Sequence, residues 1–200
     1  MNYDKEMYNI INNLDGIPRL LLHSCCAPCS SICLSILSNY FHVTVFYYNP
    51  NMDTEEEYEK RKNEQKRFIK EYPAKYKIDF LDCDYDNETF LNRVKGLESE
   101  PERGARCPVC FRLRLEKTAS KAKELNYDYF ATTLTLSPLK NTKQINEIGL
   151  VVGKEIGIPY LVSDFKKNDG YKKSIEFSKE YNLYRQNYCG CKFSKDIKES

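Results

Sequence analysis

The sequence predicts an α/β protein built on a mainly parallel sheet with helices on its faces. Three observations lead there. Short aliphatic, β-branched or aromatic runs recur along the chain, segments of ten or more residues with helical apolar spacing separate them, and Gly, Pro and Asn mark the junctions. Strands alternating with long helical stretches imply βαβ units, because parallel neighbours need a crossover of about a dozen residues.

Met7, Ile10, Ile11 and Leu14 lie at helical spacing, so residues 4–14 read as a leading helix stopped by Gly16 and Pro18. Leu20-Leu21-Leu22 is the first strand. After it comes His23-Ser24-Cys25-Cys26-Ala27-Pro28-Cys29-Ser30, a turn, then a helix through Ile32, Leu34, Ile36 and Leu37 to about Tyr40. Pro28 suits the first turn of that helix, where a missing N–H costs nothing. Val43 to Tyr48 is the second strand, closed by Asn49-Pro50-Asn51. Thr54 and Glu57 form a capping box, opening a helix to about Tyr72 whose outer side mixes Lys60, Arg61, Lys62, Lys66, Arg67 and Lys70 with five glutamates, the pattern of a solvated face. Ile78 to Leu81 is a short strand and Phe90 to Leu97 a helix. A polar loop from Glu98 to Arg106 delivers Cys107-Pro108-Val109-Cys110, with Cys107 just before the next helix and Cys110 in its first turn. That helix ends near Asn126. Tyr129 to Leu134 is a fourth strand, Ile145 to Ile156 a helix, Tyr160 to Val162 a last strand, and Lys172 to Tyr181 a helix before Tyr188-Cys189-Gly190-Cys191.

The chain has 200 residues, 41% hydrophobic and 30% charged, the composition of an ordinary folded domain able to bury a core without staples. We expect one catalytic domain over 1–200, with 1–17 as the leading helix and 18–195 as the core. No apolar run approaches the roughly 20 residues that span a bilayer, and the first residues lack the layout of a secretory signal, so the expected location is the cytoplasm. The net charge of +2 neither demands nor excludes a polyanionic partner.

In a reducing compartment, clustered cysteines point to metal or redox chemistry and not to a disulfide framework. Eight of the nine cysteines form three clusters: Cys25, Cys26, Cys29 and Cys33; Cys107 and Cys110; Cys189 and Cys191. Cys83 stands alone as a small apolar residue, and Cys33 reads as one too. The first two clusters follow strand ends or open helices, where thiolates are stabilised, so they can meet at one sheet edge. Four converging thiolates suit an iron–sulfur cluster or tetrahedral zinc, with the spacing favouring iron–sulfur over a pair of zinc knuckles. Cys189-Gly190-Cys191 reads either as a strained, exchangeable disulfide pair or as two more metal ligands. Arg106, Arg112 and Arg114 either neutralise such a site, grip phosphate or face solvent. His23 reads as a hydrogen-bonding tip, a ligand or a proton donor. The first loop carries cysteines where ATP pyrophosphatases carry glycines and serine, which argues against ATP binding there.

Taken together, His23 to Cys29, Tyr48-Asn49-Pro50-Asn51 with Glu57, Tyr58 and Arg61, Arg106-Cys107-Pro108-Val109-Cys110 with Arg112 to Leu115, Thr132-Thr133-Leu134 with Ser137-Pro138, and Tyr188 to Cys191 resemble the QueH family of epoxyqueuosine reductases over about residues 18–195. The Asn51-Met52-Asp53 segment departs from the isoleucine-containing form expected there. The resemblance implies a Rossmann-like fold of the adenine-nucleotide-hydrolase type, its site at the carboxyl edge of the sheet. It implies a cobalamin-independent oxidoreductase reducing the epoxide of epoxyqueuosine in tRNA to queuosine, the last step of queuosine synthesis, with electrons from an unidentified donor. It further implies that Cys25, Cys26, Cys107 and Cys110 hold a [4Fe-4S] cluster and that Cys189 and Cys191 are the redox-active pair, with an additional iron for which Cys29 is the candidate ligand. Tyr48, Asn49, Arg61 and Tyr188 are the expected substrate contacts. Tyr47 and Tyr184 are further stacking candidates, and Lys166, Lys167, Lys172 and Lys173 are candidate phosphate contacts. A tRNA-thiolating or thiol-disulfide enzyme on the same scaffold, or a zinc-stabilised nucleic-acid-binding module, are the alternatives.

Overall fold

The structure, a computed structural model, describes residues 1–195. Its elements are α1 (Tyr3–Asn12), β1 (Arg19–His23), α2 (Ala27–Leu37), β2 (His42–Phe46), α3 (Glu55–Glu71), β3 (Asp79–Leu81), α4 (Asn87–Arg93), α5 (Arg106–Glu124), β4 (Tyr129–Thr132), α6 (Thr142–Ile156), α7 (Gly170–Glu180) and α8 (Lys192–Lys195), with a 3-10 turn over Thr133–Leu136. The four strands form one parallel sheet in the order β3-β2-β1-β4. This is the α/β layout expected from the alternation of strand and helix signals.

Strand alternation divides the core. Leu20 and Leu22 pack with Val43, Val45 and Ala131 beneath α1, α2 and α3, whereas Leu21 packs with Phe46 and Phe130 beneath α5 and α6. All three leucines of β1 are fully buried, as a strand covered on both faces requires. Order along the sheet then places the site. The chain steps from β1 outward to β2 and β3, then returns through α4 and α5 to put β4 on the other side of β1. The strand order therefore reverses between β1 and β4, and the crevice of such a sheet opens beyond the carboxyl ends at that reversal. Ser24–Cys26 and Thr133–Leu136 are the segments that flank it.

Several boundaries differ from the sequence reading. Tyr47 and Tyr48 lie beyond β2. The fourth strand stops at Thr132, because the Thr132 hydroxyl accepts the Leu134 N–H (3.2 Å) and turns the backbone into the 3-10 geometry. The expected last strand is a single bridge, Phe130 with Tyr160. Cys107 lies inside α5 and not before it: Ala105 already has helical angles and the Cys107 N–H donates to the Gly104 carbonyl (3.1 Å), so the first turn starts early. Among the described residues no helix is long and apolar enough to cross a membrane.

Candidate active site

β1 delivers the first cysteine cluster, and its last residue locks the loop. His23 is fully buried; its Nε2–H donates to the Tyr48 carbonyl (3.0 Å), so Nδ1 is the acceptor for the Thr132 hydroxyl (2.9 Å). Burial, aided by the Arg114 charge, lowers its pKa to about 3, and the ring is neutral. Both nitrogens are committed, which leaves His23 as the hydrogen-bonding tip and not a metal ligand. Asn49 Nδ2 donates to the Ser24 carbonyl (2.8 Å), and the Ser24 hydroxyl donates to Gln65 Oε1 (2.7 Å). With Pro28 in the first turn of α2, the loop is fixed from both ends.

It brings the sulfurs of Cys25, Cys26 and Cys29 within 4.8 Å of one another, Cys25 and Cys26 being 3.8 Å apart. Gln186 Nε2 donates to Cys26 Sγ (3.1 Å). Hydrogen bonds from the Cys26 and Cys29 thiols hold Cys25 well below its ordinary pKa, against burial and with help from Lys140 and Arg114, while the Cys26 thiol is pushed up to about 12. Cys33 is buried one turn on and its thiol donates to the Cys29 carbonyl (3.2 Å), a structural role.

α5 and the 188–191 segment bring the other thiols. Cys107 Sγ accepts the Arg103 N–H (3.2 Å), and Cys110 is buried one turn later. Arg106 is also buried and turned inward to the carbonyls of Leu97, Glu98 and Glu100, so it anchors the loop. The Cys189 carbonyl is approached by Asn51 Nδ2 (3.5 Å) and Arg61 Nη1 (3.4 Å), the Gly190 carbonyl accepts the Asp53 N–H (2.8 Å), and the Tyr188 hydroxyl donates to Asp53 (2.7 Å). Gly190 is required there: its φ is +102° and a Cβ would stand 2.3 Å from Met52 Sδ. A hydrogen bond from the Cys191 thiol holds Cys189 well below its ordinary pKa, against burial and with help from the Lys140 charge, and raises Cys191.

Two adjoining cavities open among these sulfurs. One, of about 320 Å³, is lined by Cys107, Cys110, Cys189 and Cys191 together with Asn51. The other, of about 130 Å³, is lined by Cys25, Cys29, Cys189, Gln186 and Tyr188. Arg114, Pro138, Leu139, Lys140, Glu102 and Cys189 belong to both walls. Three buried polar atoms of residues on the first wall have no hydrogen-bond partner among the described residues: Arg114 Nε, Arg106 Nη2 and Asn51 Oδ1.

The expected contacts separate accordingly. Tyr188 lines the second cavity. Tyr48 is buried and stacks on Phe46, Asn49 holds the cysteine loop and accepts from Arg114 (3.4 Å), and Arg61 is buried against Glu57 and the Cys189 carbonyl. These three position the loops. Tyr47 is core, packed on Tyr58 and Phe80, and Tyr184 hydrogen-bonds Glu57 beneath Lys60. Lys172 and Lys173 are exposed on α7, and Lys167 is exposed too. Of the three arginines, Arg112 faces outward to Glu116 and Glu155, whereas Arg114 faces the thiols. Lys140 and Gln186 were not singled out by the sequence. Both sit in polar connecting segments with no periodicity or motif to mark them.

The donor set fits a soft or borderline metal centre. Three thiols converge, four more line the adjoining cavity, and the two cations facing them, Arg114 and Lys140, have thiol groups as the acidic groups acting on them. A metal–thiolate assembly of net negative charge would neutralise both. The residues available to hold it are Cys25 and Cys26, with Cys29 beside them, on one wall, and Cys107 and Cys110 on the other.

Comparison with known proteins agrees. The family model for "Epoxyqueuosine reductase QueH" matches residues 20–197. A protein of that name from Streptococcus pyogenes serotype M1 is 44% identical over 199 residues, 97% of this chain and 78% of the relative. One from Staphylococcus epidermidis is 43% identical, covering 97% of this chain and 84% of the relative. One from Thermotoga maritima is 34% identical, covering 88% and 89%. With a parallel sheet whose carboxyl edge gathers seven cysteines and a family match over most of its length, the chain belongs to the QueH family of epoxyqueuosine reductases.

Proposed function

We propose that this chain reduces the epoxide of epoxyqueuosine in tRNA to the cyclopentene of queuosine, acting as one catalytic domain in the cytoplasm. The observation that carries the reading is the convergence of three thiols in the loop after β1 beside a cavity that four more cysteines line, in a chain of this family.

The chemistry needs two electrons, two protons and a place for the departing oxygen. Cys189 and Cys191 are the electron source in this reading: a thiolate and a thiol closing a disulfide release two electrons and one proton, a second proton comes from an acid in the site, and the epoxide loses its oxygen as water and gains a carbon–carbon double bond. An outside donor then restores the thiols. The lowered pKa of Cys189, with Cys191 as its hydrogen-bonding neighbour, gives one nucleophilic sulfur and one protonated partner. A bound [4Fe-4S] cluster, and an additional iron beside it, supply one-electron storage and a Lewis-acid position. Cys25, Cys26, Cys107 and Cys110 would hold the cluster, with Cys29 the candidate ligand of the further iron; no cobalamin takes part. Asn51, Asn49 and Arg61 keep the cysteine loops in register. Tyr188, at the rim of the smaller cavity, contacts the substrate nucleotide, which must be unstacked from its loop to enter.

The test is anaerobic purification followed by iron, sulfide and visible-absorption measurement, then incubation with tRNA carrying epoxyqueuosine and a chemical reductant. The expected product is a nucleoside lighter by one oxygen atom, and Cys189→Ala is expected to bring multiple-turnover reduction to background. A reductively active preparation without iron, or a sulfur-containing tRNA product, would overturn the reading.

A further inference from the structure

The wall shared by the two cavities carries two cations, Arg114 and Lys140. Lys140 lies in the loop joining the 3-10 turn to α6, at the carboxyl end of β4, and lines both the Cys25/Cys29 cavity and the Cys107/Cys110/Cys189/Cys191 cavity. The largest charges acting on it are those of Cys189, Cys25, Cys29 and Arg114; Glu102 shares both cavity walls with it, and among the described residues no ion pair joins the two. The lysines of α3 contrast with this: Lys62 and Lys66 pair with Asp82. Its loop is fastened. The Lys140 N–H donates to the Ser137 carbonyl (3.2 Å), the Leu139 N–H to the Ser137 hydroxyl (3.3 Å), and Lys166 Nζ bonds both the Lys140 carbonyl (3.3 Å) and the Thr142 hydroxyl. Behind it, Arg114 is buried and keeps an unpartnered Nε on the same wall. A lysine pinned at its backbone, in no ion pair among the described residues and at a junction of sulfur-lined cavities, is a preorganised donor for an oxygen that becomes negative.

We propose that Lys140 is a catalytic residue of the reduction, donating a hydrogen bond and then a proton from its ammonium group to the epoxide oxygen as the carbon–oxygen bonds break. The inference rests on the reductase reading above. The balance is closed within it. The two electrons come from the Cys189 and Cys191 thiols, which become a disulfide. The ammonium proton of Lys140 and the proton released by the Cys191 thiol together complete the water molecule, and Lys140 takes up a proton from solvent afterwards. Arg114 is a positioning residue, holding positive potential on the same walls. Such a donor is worth most where water is excluded and the charge appears only in the transition state.

Lys140→Met and Lys140→Arg in the full chain, iron-loaded and pre-reduced, separate this role from tRNA grip. Wild type is run alongside in single turnover with tRNA carrying epoxyqueuosine. If wild type itself yields no queuosine, the reductase reading fails, and this inference with it. With wild type active, Lys140→Met is expected to lower the single-turnover rate at saturating tRNA about 10²–10³-fold. Iron content, visible absorption and tRNA affinity should stay within about threefold of wild type, and Lys140→Arg should recover at least a tenth of the wild-type rate. Two results would overturn the proposal. One is a Lys140→Met rate within threefold of wild type. The other is a loss confined to tRNA affinity with a shallower salt dependence, the signature of a phosphate contact.

Discussion

Gly190 shows how one residue sets the geometry of a reactive pair. Its positive φ lets Cys189 and Cys191 face the same cavity from either side of a single residue, and the space a Cβ would occupy is filled by Met52. Gly190→Ala is expected to cost about 1–3 kcal/mol through the strained backbone alone. It should lower epoxide reduction further by shifting the sulfurs. Denaturant unfolding and turnover measured on Gly190→Ala and on Gly190→Ala/Met52→Ala check this: the double variant should regain the part of the loss due to the clash and none of the part due to φ. Glycine between two cysteines is visible in the sequence as permission for a tight geometry. That Met52, from the departing segment Asn51-Met52-Asp53, is the residue packed over it is not, because the two are brought together by the fold across more than a hundred residues.

At the scale of elements, the segment after α7 is stapled to α3. Glu64 accepts the Tyr184 N–H (2.7 Å) and pairs with Arg67, whose guanidinium also donates to the Tyr181 carbonyl (2.9 Å). The Arg67 hydrogen bond, against partial burial and with help from the Tyr184 N–H, holds the Glu64 carboxyl below its ordinary value of 4.5. A carboxylate with a depressed folded pKa stabilises the native state above its unfolded pKa and loses that contribution as pH falls through the folded value. Glu64→Gln should therefore be less stable than wild type by about 0.5–1 kcal/mol at pH 6, a modest figure because Arg67 is partly exposed. The gap should narrow as pH falls below 4.5, as urea unfolding across that range would show. The charged face of α3 reads in the sequence as solvated, and for Lys60 and Lys70 that is its character. Arg61 departs from it, being buried against Glu57 with its Nη1 at the Cys189 carbonyl. An i,i+4 pair looks the same on paper whether water or another segment covers it.

For the whole molecule, the proposed ligands come from the loop leading into α2 and from the start of α5, helices that pack on opposite faces of the sheet. A metal centre held by both would bind the native state and not the unfolded chain, so its binding energy adds to folding stability. Iron-loaded protein should melt higher than chelator-treated protein, and the difference should disappear in Cys107→Ser as it does in Cys25→Ser. Equal shifts in Cys107→Ser and wild type would mean that α5 takes no part in the centre.

Strand–helix alternation, a parallel sheet, cysteine motifs at strand ends and helix starts, and the family are all legible in the order of residues along the chain. These follow from local periodicity and from motifs a few residues long. Other features needed the folded chain: Cys107 lies within its helix, Asn49 and Arg61 hydrogen-bond backbone carbonyls of the cysteine segments, His23 has both nitrogens engaged, and Lys140 lines both sulfur-lined cavities. The physical reason is the same for each: burial, a missing counter-charge and a shared wall are relations between segments far apart in the chain, and no spacing within one segment encodes them.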